Sequence, residues 1–151
     1  MVPILDYLME RQISPQWSGM LGALAAEFEA QLGHDELRQL MHRVGTRFAH
    51  THPLPDCGST SALQETLNQV WQQMDWGFVE LADEAQSLCI LHYCAPLQAF
   101  GKTALTWTPA FLEGAYQTWL SALGAQGLSV VQTSGIGEDT AIEFRLGRHP
   151  R

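Results

Sequence analysis

The sequence predicts an α+β layered domain, in which helices pack on one antiparallel β-sheet. Apolar residues recur at helical spacing through three segments in the first half of the chain. The pattern then changes to residue-by-residue alternation in four short runs, and one further helical segment separates these runs into two pairs. The predicted order is therefore ααα-ββ-α-ββ. Since 46% of the 151 residues are hydrophobic, we expect one packed core.

Residues 1–15 precede the first clear helix start and are predicted to form an N-terminal arm. Pro3 and Pro15 interrupt this arm, whose first six residues are Met1, Val2, Pro3, Ile4, Leu5 and Asp6. The arm is too apolar to hang free in water, because exposed apolar surface costs roughly 25 cal/mol per Å². We expect it either to extend the helical core of its own domain or to dock in a groove of a neighbouring protomer.

A single domain is predicted over residues 16–147, with a C-terminal tail over residues 148–151. Its first helix starts at Ser14-Pro15, an N-cap residue followed by proline at the first helical position, and continues to Gly33. The apolar stripe of this helix consists of Trp17, Met20, Leu21, Leu24, Phe28 and Leu32.

The second helix is predicted from about Asp35 to His52, and the third starts near Ser59 or Thr60 after a loop with two prolines. The stripe of the second helix consists of Leu37, Leu40, Met41, Val44 and Phe48. The buried face of the third consists of Leu63, Leu67, Val70, Trp71 and Met74. Both helices are therefore expected to pack on a core through one face.

Residues 76–81 and 86–93 alternate between apolar and polar side chains, which predicts an antiparallel hairpin. A fourth helix is predicted over about Thr106–Leu123, with Thr106 as its N-cap. Because apolar residues cover more than half of its circumference, we expect it at the centre of the domain or shared with a partner. Two more strands follow, beginning near Leu128 and Thr140.

The chain is acidic, with a formal net charge of −8 from 16 acidic and 8 basic residues. This excess repels phosphate backbones, so nucleic acid is a poor partner, whereas a neutral polysaccharide remains compatible with the charge. Charged residues make up only 16% of the chain, which is low for a fully solvated surface. Some apolar surface is therefore expected to lie in an interface between copies of this chain.

The cysteine count and the N-terminus favour the cytoplasm. Cys57, Cys89 and Cys94 are odd in number and form no C-x-x-C pair, as is typical of reduced thiols. Asp6 and Glu10 stand where a signal peptide would be apolar. No apolar run approaches the about 20 residues of a membrane span, so we expect no membrane insertion.

Six histidines raise the possibility of a metal site. His50 and His52 share a loop with Cys57, but an H-x-H pair alone is weak evidence, and no second ligand pair follows at zinc-finger spacing. These three residues are therefore predicted to be solvated loop residues. We expect neither a metal nor another cofactor.

The candidate catalytic residues do not form a complete catalytic set. His92 and Cys94 share one face of a predicted strand, but no orienting acid accompanies them. Glycoside hydrolysis needs two carboxylates across a cleft, and Glu113 alone interrupts an apolar helix face. We expect Glu113 to cap a neighbour's N–H or to meet a base across an interface, and we predict no enzymatic activity. The five tryptophans and three tyrosines could stack on sugar rings, but four of the tryptophans fall on predicted core faces and are predicted to be core residues: Trp17, Trp71, Trp107 and Trp119.

Three blocks of the sequence resemble the D-subunit family of bacterial cellulose synthase: LNQVWQQMDWGFVEL, CILHYCAPL and TWTPAFLEGAYQTWL. The resemblance covers about residues 17–146 and is most specific in the third block. The residues that carry it are Leu67, Asn68, Trp76, Gly77, Val79, Leu81, His92, Pro96, Thr106, Trp107, Pro109, Leu112, Glu113, Gly114, Tyr116 and Trp119. Seven of them are taken as structural or interface positions: Trp76, Gly77, Trp107, Glu113, Gly114, Tyr116 and Trp119. For Trp76-Gly77, a tight helix-to-strand corner is the plainer alternative.

The resemblance implies a homo-oligomeric ring, octameric in the family and built from dimers. The ring encloses passages for nascent glucan chains, and the N-terminal arms, here residues 1–6, contribute to those passages. A non-catalytic scaffold is implied, which orders synthase complexes so that exported chains crystallise together. Its implied partners are other cellulose synthase subunits, the glucan chain and a proline-rich accessory protein. The family has been assigned to the cytoplasm and to the periplasm, and the features above favour the cytoplasm here.

The order of elements also resembles the four-vinyl-reductase ligand-binding domains and the TRAPP vesicle-tethering subunits, a structural analogy that carries no function. It keeps open an alternative function, a small-ligand sensor with an apolar pocket between helices and sheet. A hydrolase of the same pathway is a third hypothesis, which the missing carboxylate pair disfavours.

Overall fold

Residues 3–148 are described by the computed structural model, and within them five α-helices and four β-strands are found. The helices are α1 (Pro3–Gln12), α2 (Pro15–Gln31), α3 (His34–Thr51), α4 (Thr60–Gln73) and α5 (Ala110–Ala122). The strands are β1 (Phe78–Asp83), β2 (Leu88–Tyr93), β3 (Ser129–Gln132) and β4 (Ile142–Gly147). Two 3₁₀ segments, Leu97–Phe100 and Lys102–Thr106, join β2 to α5.

The four strands form one sheet in the order β1-β2-β4-β3, and each neighbouring pair is antiparallel. The inner face of this sheet is completely buried at Val79, Ile90, His92 and Phe144. Side chains of α4 and α5 cover that face, and α3 packs on α5 from the side away from the sheet. The predicted α+β class, with helices on one antiparallel sheet, is confirmed.

The N-terminus differs from the predicted order, because the arm contains an additional helix, α1. Pro3 occupies the first position of this helix, where its missing N–H removes no hydrogen bond. Pro15 lies beyond its end and begins α2, with Ser14 as the N-cap. The arm residues Met1 and Val2, and residues 149–151 of the predicted tail, lie outside the described part of the chain.

The start of α5 also differs from the prediction. Thr106 does not cap this helix, because the chain first forms the 3₁₀ segment that ends at Thr106. The helix begins at Ala110, with Pro109 as its N-cap. The predicted start of α4 agrees with the structure, since the Ser59 hydroxyl accepts a hydrogen bond of 3.0 Å from the Ala62 N–H.

Helices α3 and α5 touch backbone to backbone. A Cβ atom on Gly45 of α3 would overlap the carbonyl oxygen of Phe111 and lie 2.8 Å from the Ala115 nitrogen. A Cβ atom on Gly114 of α5 would likewise overlap the carbonyl oxygen of His42. Glycine is therefore required on both helices, because only the absence of Cβ allows the two backbones to approach this closely.

An aromatic cluster fills the space around this helix contact. The Phe48 ring of α3 lies 5.8 Å from Trp71 and 5.9 Å from Trp119, measured between ring centroids. Trp71 and Trp119 meet edge to face at 5.5 Å. Such offset and edge-to-face pairs are the favoured arrangements of aromatic rings. The predicted core positions of Trp71, Trp107 and Trp119 are correct, since all three are buried.

The prediction that Trp17 is a core residue is wrong, because its side chain is 54% exposed. The inward face of α2 carries Ala25 and Phe28 instead, and the C-cap residue Leu32 also packs against the core. Helix α2 is apolar around most of its circumference, and periodicity alone does not decide which side of such a helix is buried. Two more predicted stripe residues of α2, Met20 and Leu24, are exposed for the same reason. The predicted stripe residue Val44 of α3 is exposed as well.

Both edges of the sheet are closed by side chains of neighbouring helices. On β1, the Asn68 side chain bonds both the N–H and the C=O of Val79, and Gln64 accepts from the Leu81 N–H. On β3, Gln117 accepts from the Val130 N–H at 2.7 Å. Unpaired strand edges promote aggregation, so these contacts protect the edges.

We predict that Gly45→Ala and Gly114→Ala each lower the free energy of unfolding by at least about 3 kcal/mol, because the added methyl group meets backbone atoms that cannot move aside. Urea denaturation followed by circular dichroism measures this loss. Gly22→Ala is the matched control, since no atom lies within 4 Å of its Cβ position. It should change stability by less than about 1 kcal/mol, in the stabilising direction. Equal effects at the three positions would contradict the close helix contact.

We predict that Asn68→Ala destabilises the protein by about 1–3 kcal/mol, because it leaves the Val79 N–H and C=O without partners at the sheet edge. The variant should also aggregate faster on warming, as light scattering would detect. Gln69→Ala, at the exposed neighbouring position, is the control and should lie within about 0.5 kcal/mol of the unsubstituted protein. An Asn68→Ala variant as stable and soluble as this control would refute the protective role.

Candidate functional site

The sequence motif residues lie mainly in the core and do not converge on one surface site. Trp107 donates its indole N–H to the Glu29 carboxylate of α2 at 3.0 Å, and Trp119 donates to the His52 carbonyl at 2.8 Å. Each indole therefore fixes a segment outside α5, namely α2 and the loop after α3. Gly114 belongs to the close helix contact described above.

Tyr116 lies at the centre of a buried chain of hydrogen bonds. His92 Nε2 lies 2.8 Å from the Trp76 carbonyl oxygen, which can only accept, so Nε2 carries the proton. His92 Nδ1 then accepts from the Tyr116 hydroxyl at 2.6 Å, and the Tyr116 oxygen accepts from the Trp71 indole N–H at 3.1 Å. Each of these side-chain polar groups therefore has a partner, and together they link α4, α5, β2 and the turn before β1.

Burial keeps the side chains in this chain of hydrogen bonds uncharged. Desolvation lowers the pKa of His92 from 6.5 to about 4, although the hydrogen bond to the Trp76 carbonyl opposes that change. Burial also raises the pKa of Tyr116 well above its ordinary value. Both rings are therefore neutral at physiological pH and act as structural connectors.

Gly77 occupies a backbone position that only glycine fits. Its φ angle is +76°, and a Cβ atom would overlap the Tyr93 carbonyl oxygen and lie 2.9 Å from the Cys94 carbonyl carbon. The chain turns there from α4 into β1, which agrees with the tight-corner interpretation of Trp76-Gly77. The half-buried Trp76 ring packs on Trp71 and Phe111.

Glu113 caps a backbone N–H, and the base that it meets lies within the same chain. Its carboxylate accepts from the Gln132 backbone N–H at 2.8 Å and from Arg38 Nη2 at 3.3 Å. Arg38 also donates to the Thr106 carbonyl and the Gln132 side chain. The pair lines an open cleft of about 610 Å³. Because both charged groups hold partners within the chain, the pair ties α3 to α5 and to the edge strand β3.

The histidine and cysteine candidates do not form sites. His92 and Cys94 are not on a common strand face, because β2 ends at Tyr93 and Cys94 takes a positive φ of 61°. The Cys94 sulfur lies 3.2 Å from the Thr140 hydroxyl. His52 bonds the Phe48 carbonyl and Cys57 the Pro55 carbonyl. Within residues 3–148, no three His, Cys, Asp or Glu side chains are grouped so that they could hold a metal ion.

Large apolar side chains lie exposed on each of the first two helices, and we call the two sets together the α1–α2 face. It consists of Ile4, Tyr7 and Leu8 on α1 and of Trp17, Met20 and Leu24 on α2, and each of these side chains is at least 41% exposed. These six residues are most of the large hydrophobic side chains that lie exposed within residues 3–148. Apolar patches of this kind mark interaction surfaces on soluble proteins.

A groove of about 370 Å³ borders this face where α1 ends and α2 begins. We call it the Trp17 groove. Its walls include Gln12, Ser14, Trp17, Asp75, Trp76 and Phe100. Sequence patterns do not reveal this groove, since its residues come from separated segments of the chain. The sequence indicates only that five tryptophans are present, and this count does not distinguish a tryptophan in a groove wall from one in the core.

Within the part of the chain that the structure describes, no helix combines the length and the apolar content of a transmembrane segment.

Comparison with known proteins gives consistent matches. A family model that describes the D subunit of cellulose synthase matches residues 3–147. A protein named cellulose synthase operon protein D from Komagataeibacter xylinus is 33% identical over 129 residues, which cover 83% of this chain and 83% of the relative. A protein of the same name from Komagataeibacter sucrofermentans matches with the same identity and coverage.

We predict that His92 makes the protein less stable in acid. The pKa of His92 is about 4 in the folded protein and 6.5 in the unfolded chain. Between these two pH values, the unfolded chain binds a proton at His92 and the folded protein does not. The contribution of neutral His92 to the free energy of unfolding is therefore fully present above pH 6.5 and is lost as the pH falls from 6.5 to about 4. The loss amounts to roughly 3 kcal/mol. Urea denaturation across this range measures it.

The comparison protein is His92→Gln, which carries no titrating group at this position. It should be less stable near neutral pH but should lose roughly 3 kcal/mol less between pH 6.5 and 4. The hydrogen bond from Thr133 lowers the pKa of Glu143, but this residue is present in both proteins, so its contribution cancels. Parallel pH profiles for the two proteins would show that His92 does not act as described.

Proposed function

The chain belongs to the D-subunit family of cellulose synthase, and from this membership we propose that it is a structural, non-catalytic subunit of bacterial cellulose synthase. In this proposal, copies of the chain assemble into an oligomeric scaffold. The scaffold guides glucan chains during export and brings them together so that they crystallise.

The α1–α2 face is the observation that carries the proposal. Six large apolar side chains lie exposed on two adjacent helices. Burying such side chains contributes roughly 25 cal/mol per Å², so association through this face is favourable. Both edges of the sheet are closed by Gln64, Asn68 and Gln117, which makes strand pairing between copies unfavourable. The helices therefore provide the assembly surface.

The proposed assembly is a homo-octamer, the form that the family resemblance implies, with the N-terminal arm near its glucan passages. Residues 3–6 of that arm begin α1, next to the α1–α2 face. The net charge of −8 does not oppose passage of a neutral glucan. Other cellulose synthase subunits and a proline-rich accessory protein are the further proposed partners.

The state of the candidate catalytic groups supports a non-catalytic role. Both ring nitrogens of His92 are bonded in the core, so this histidine cannot exchange protons with a substrate at neutral pH. The Glu113 carboxylate is held by Arg38 and the Gln132 N–H. The alternative of a small-ligand sensor needs a cavity between helices and sheet, and Trp71, Tyr116 and Phe144 fill the space there.

We propose the cytoplasm as the compartment, with the periplasm as the alternative. Cys57, Cys89 and Cys94 are free thiols, a state that reducing compartments maintain.

Light scattering tests the scaffold directly. We predict that the purified protein is larger than a dimer and that Leu8→Glu with Leu24→Glu shifts it to smaller species, because charges on the α1–α2 face cannot be buried without partners. Val131→Glu is the control, since Val131 is an exposed apolar residue of the outer sheet face. Circular dichroism verifies that each variant is folded.

In cells, the double variant should lower the yield or crystallinity of cellulose, whereas the control should not. A monomeric unsubstituted protein at micromolar concentration would refute the scaffold. A double variant that keeps the full mass would refute the assignment of the α1–α2 face.

A further inference from the structure

We propose that α1 of one copy of the chain packs antiparallel on the outer side of α3 of a second copy, with Asp6 paired to Arg47 and Glu10 paired to Arg43. This inference rests on the proposed function, in which the α1–α2 face is an assembly surface. It goes beyond that function, because it names the surface of the second copy that meets α1 and the ion pairs that select it.

The outer side of α3 is a basic surface on an acidic protein. Three of the eight basic residues of the chain lie on this helix, and residues 37–51 contain no Asp or Glu. Arg43 and Arg47 lie one helical turn apart, and both are exposed. Within residues 3–148, neither side chain forms a hydrogen bond or an ion pair. Like charges at this spacing repel each other, so an acidic partner would stabilise this side of the helix.

Helix α1 carries the matching acidic row. Asp6 and Glu10 are exposed, lie one turn apart, and likewise have no side-chain partner within residues 3–148. The neighbouring Arg11 forms no ion pair with them, since its guanidinium donates to the Tyr7 hydroxyl at 3.4 Å and lies over the Tyr7 ring. The two rows have the same spacing of about 6 Å along the helix axis. Both ion pairs can therefore form together.

The dipoles of the two helices do not account for these charges. A carboxylate in the first turn of a helix is stabilised by the positive end of the dipole, which explains Asp6. Glu10, however, lies in the last turn of α1, near the negative end, and Arg43 lies midway along α3. These two positions have no stabilising contact within their own domain, which favours a partner outside it.

An apolar contact accompanies the charges. On each helix an exposed apolar residue directly follows a charged one: Tyr7 follows Asp6, and Val44 follows Arg43. Because consecutive residues of an α-helix are turned by the same angle, Tyr7 and Val44 lie on the same side of their charged rows. Two helices that face each other antiparallel bring such matched sides together. The arrangement therefore places Tyr7 and Val44 beside the ion pairs in one contact.

Charge also favours a second copy over other occupants. Copies with a net charge of −8 repel one another, so their association needs places where opposite charges meet. Arg43 and Arg47 form such a place, and every copy presents a matching acidic row. An anionic lipid surface or another acidic protein would also be attracted to the two arginines. Binding of either would not depend on Asp6 and Glu10.

Charge reversal followed by light scattering of the full-length protein, in about 0.05 M salt, tests the contact. We expect Asp6→Lys with Glu10→Lys, and Arg43→Glu with Arg47→Glu, each to lower the mass of the oligomer at least about twofold, because like charges then face each other. An equimolar mixture of the two double variants should recover the mass of the unsubstituted protein, since the reversed row of each variant then meets the reversed row of the other. One chain with all four substitutions should recover it as well.

Asp56→Lys with Glu65→Lys is the matched control. It changes the net charge by the same amount as the α1 variant, at exposed positions in the loop before α4 and on α4 itself. This control should keep the full mass. Circular dichroism verifies that every variant is folded.

Full mass in either double variant of the contact would overturn the proposal. Two impaired variants that neither mixing nor combination in one chain restores would also overturn it, because the rows would then belong to separate contacts. An unsubstituted oligomer that tolerates these reversals but dissociates on Leu8→Glu with Leu24→Glu would refute this contact and leave the scaffold standing. A monomeric unsubstituted protein would refute the scaffold and the contact with it.

Discussion

The backbone contact between α3 and α5 is the constraint on which the rest of the fold depends. Gly45 and Gly114 bring the two helices together without side chains between their backbones. This closeness lets Phe48 of α3 reach across α5 to the rings of Trp71 and Trp119. Helix α5 is thereby enclosed on nearly all sides, as its apolar sequence requires. A larger residue at either glycine would separate the layers and open the aromatic cluster.

Polar contacts then specify how the sheet sits on this pair of helices. The hydrogen bonds from Trp71 through Tyr116 and His92 to the Trp76 carbonyl join two helices, a strand and a turn. Their members are fully paired, and an unpaired buried group would cost about 1–3 kcal/mol, so alternative packings are penalised. Side chains of α4 and α5 also close both edges of the sheet, because Asn68 accepts from the Val79 N–H and Gln117 accepts from the Val130 N–H. Both edge strands of the sheet therefore have backbone groups that are hydrogen-bonded to side chains of the same domain.

The first two helices contrast with this completed core. Helix α2 is anchored through Glu29, which accepts from the Trp107 indole, while the outer sides of α1 and α2 keep their large apolar residues in solvent. A chain with only 16% charged residues has few groups with which to cover such a face. The same region carries the Trp17 groove, which shares Trp17 with the proposed assembly surface.

The sequence by itself determined the fold class, the antiparallel sheet, the start of α4 and the central position of α5, because these follow from local periodicity and capping. Its motif blocks also identified the family. Only the tertiary structure decided which side of α2 is buried, since an evenly apolar helix contains no local signal for its orientation, and Trp17 is exposed for that reason. It also decided the partners of His92 and Glu113, and it assembled the Trp17 groove from segments far apart in the chain. Contacts between distant residues depend on how whole elements pack, and a pattern read along the chain does not encode that packing.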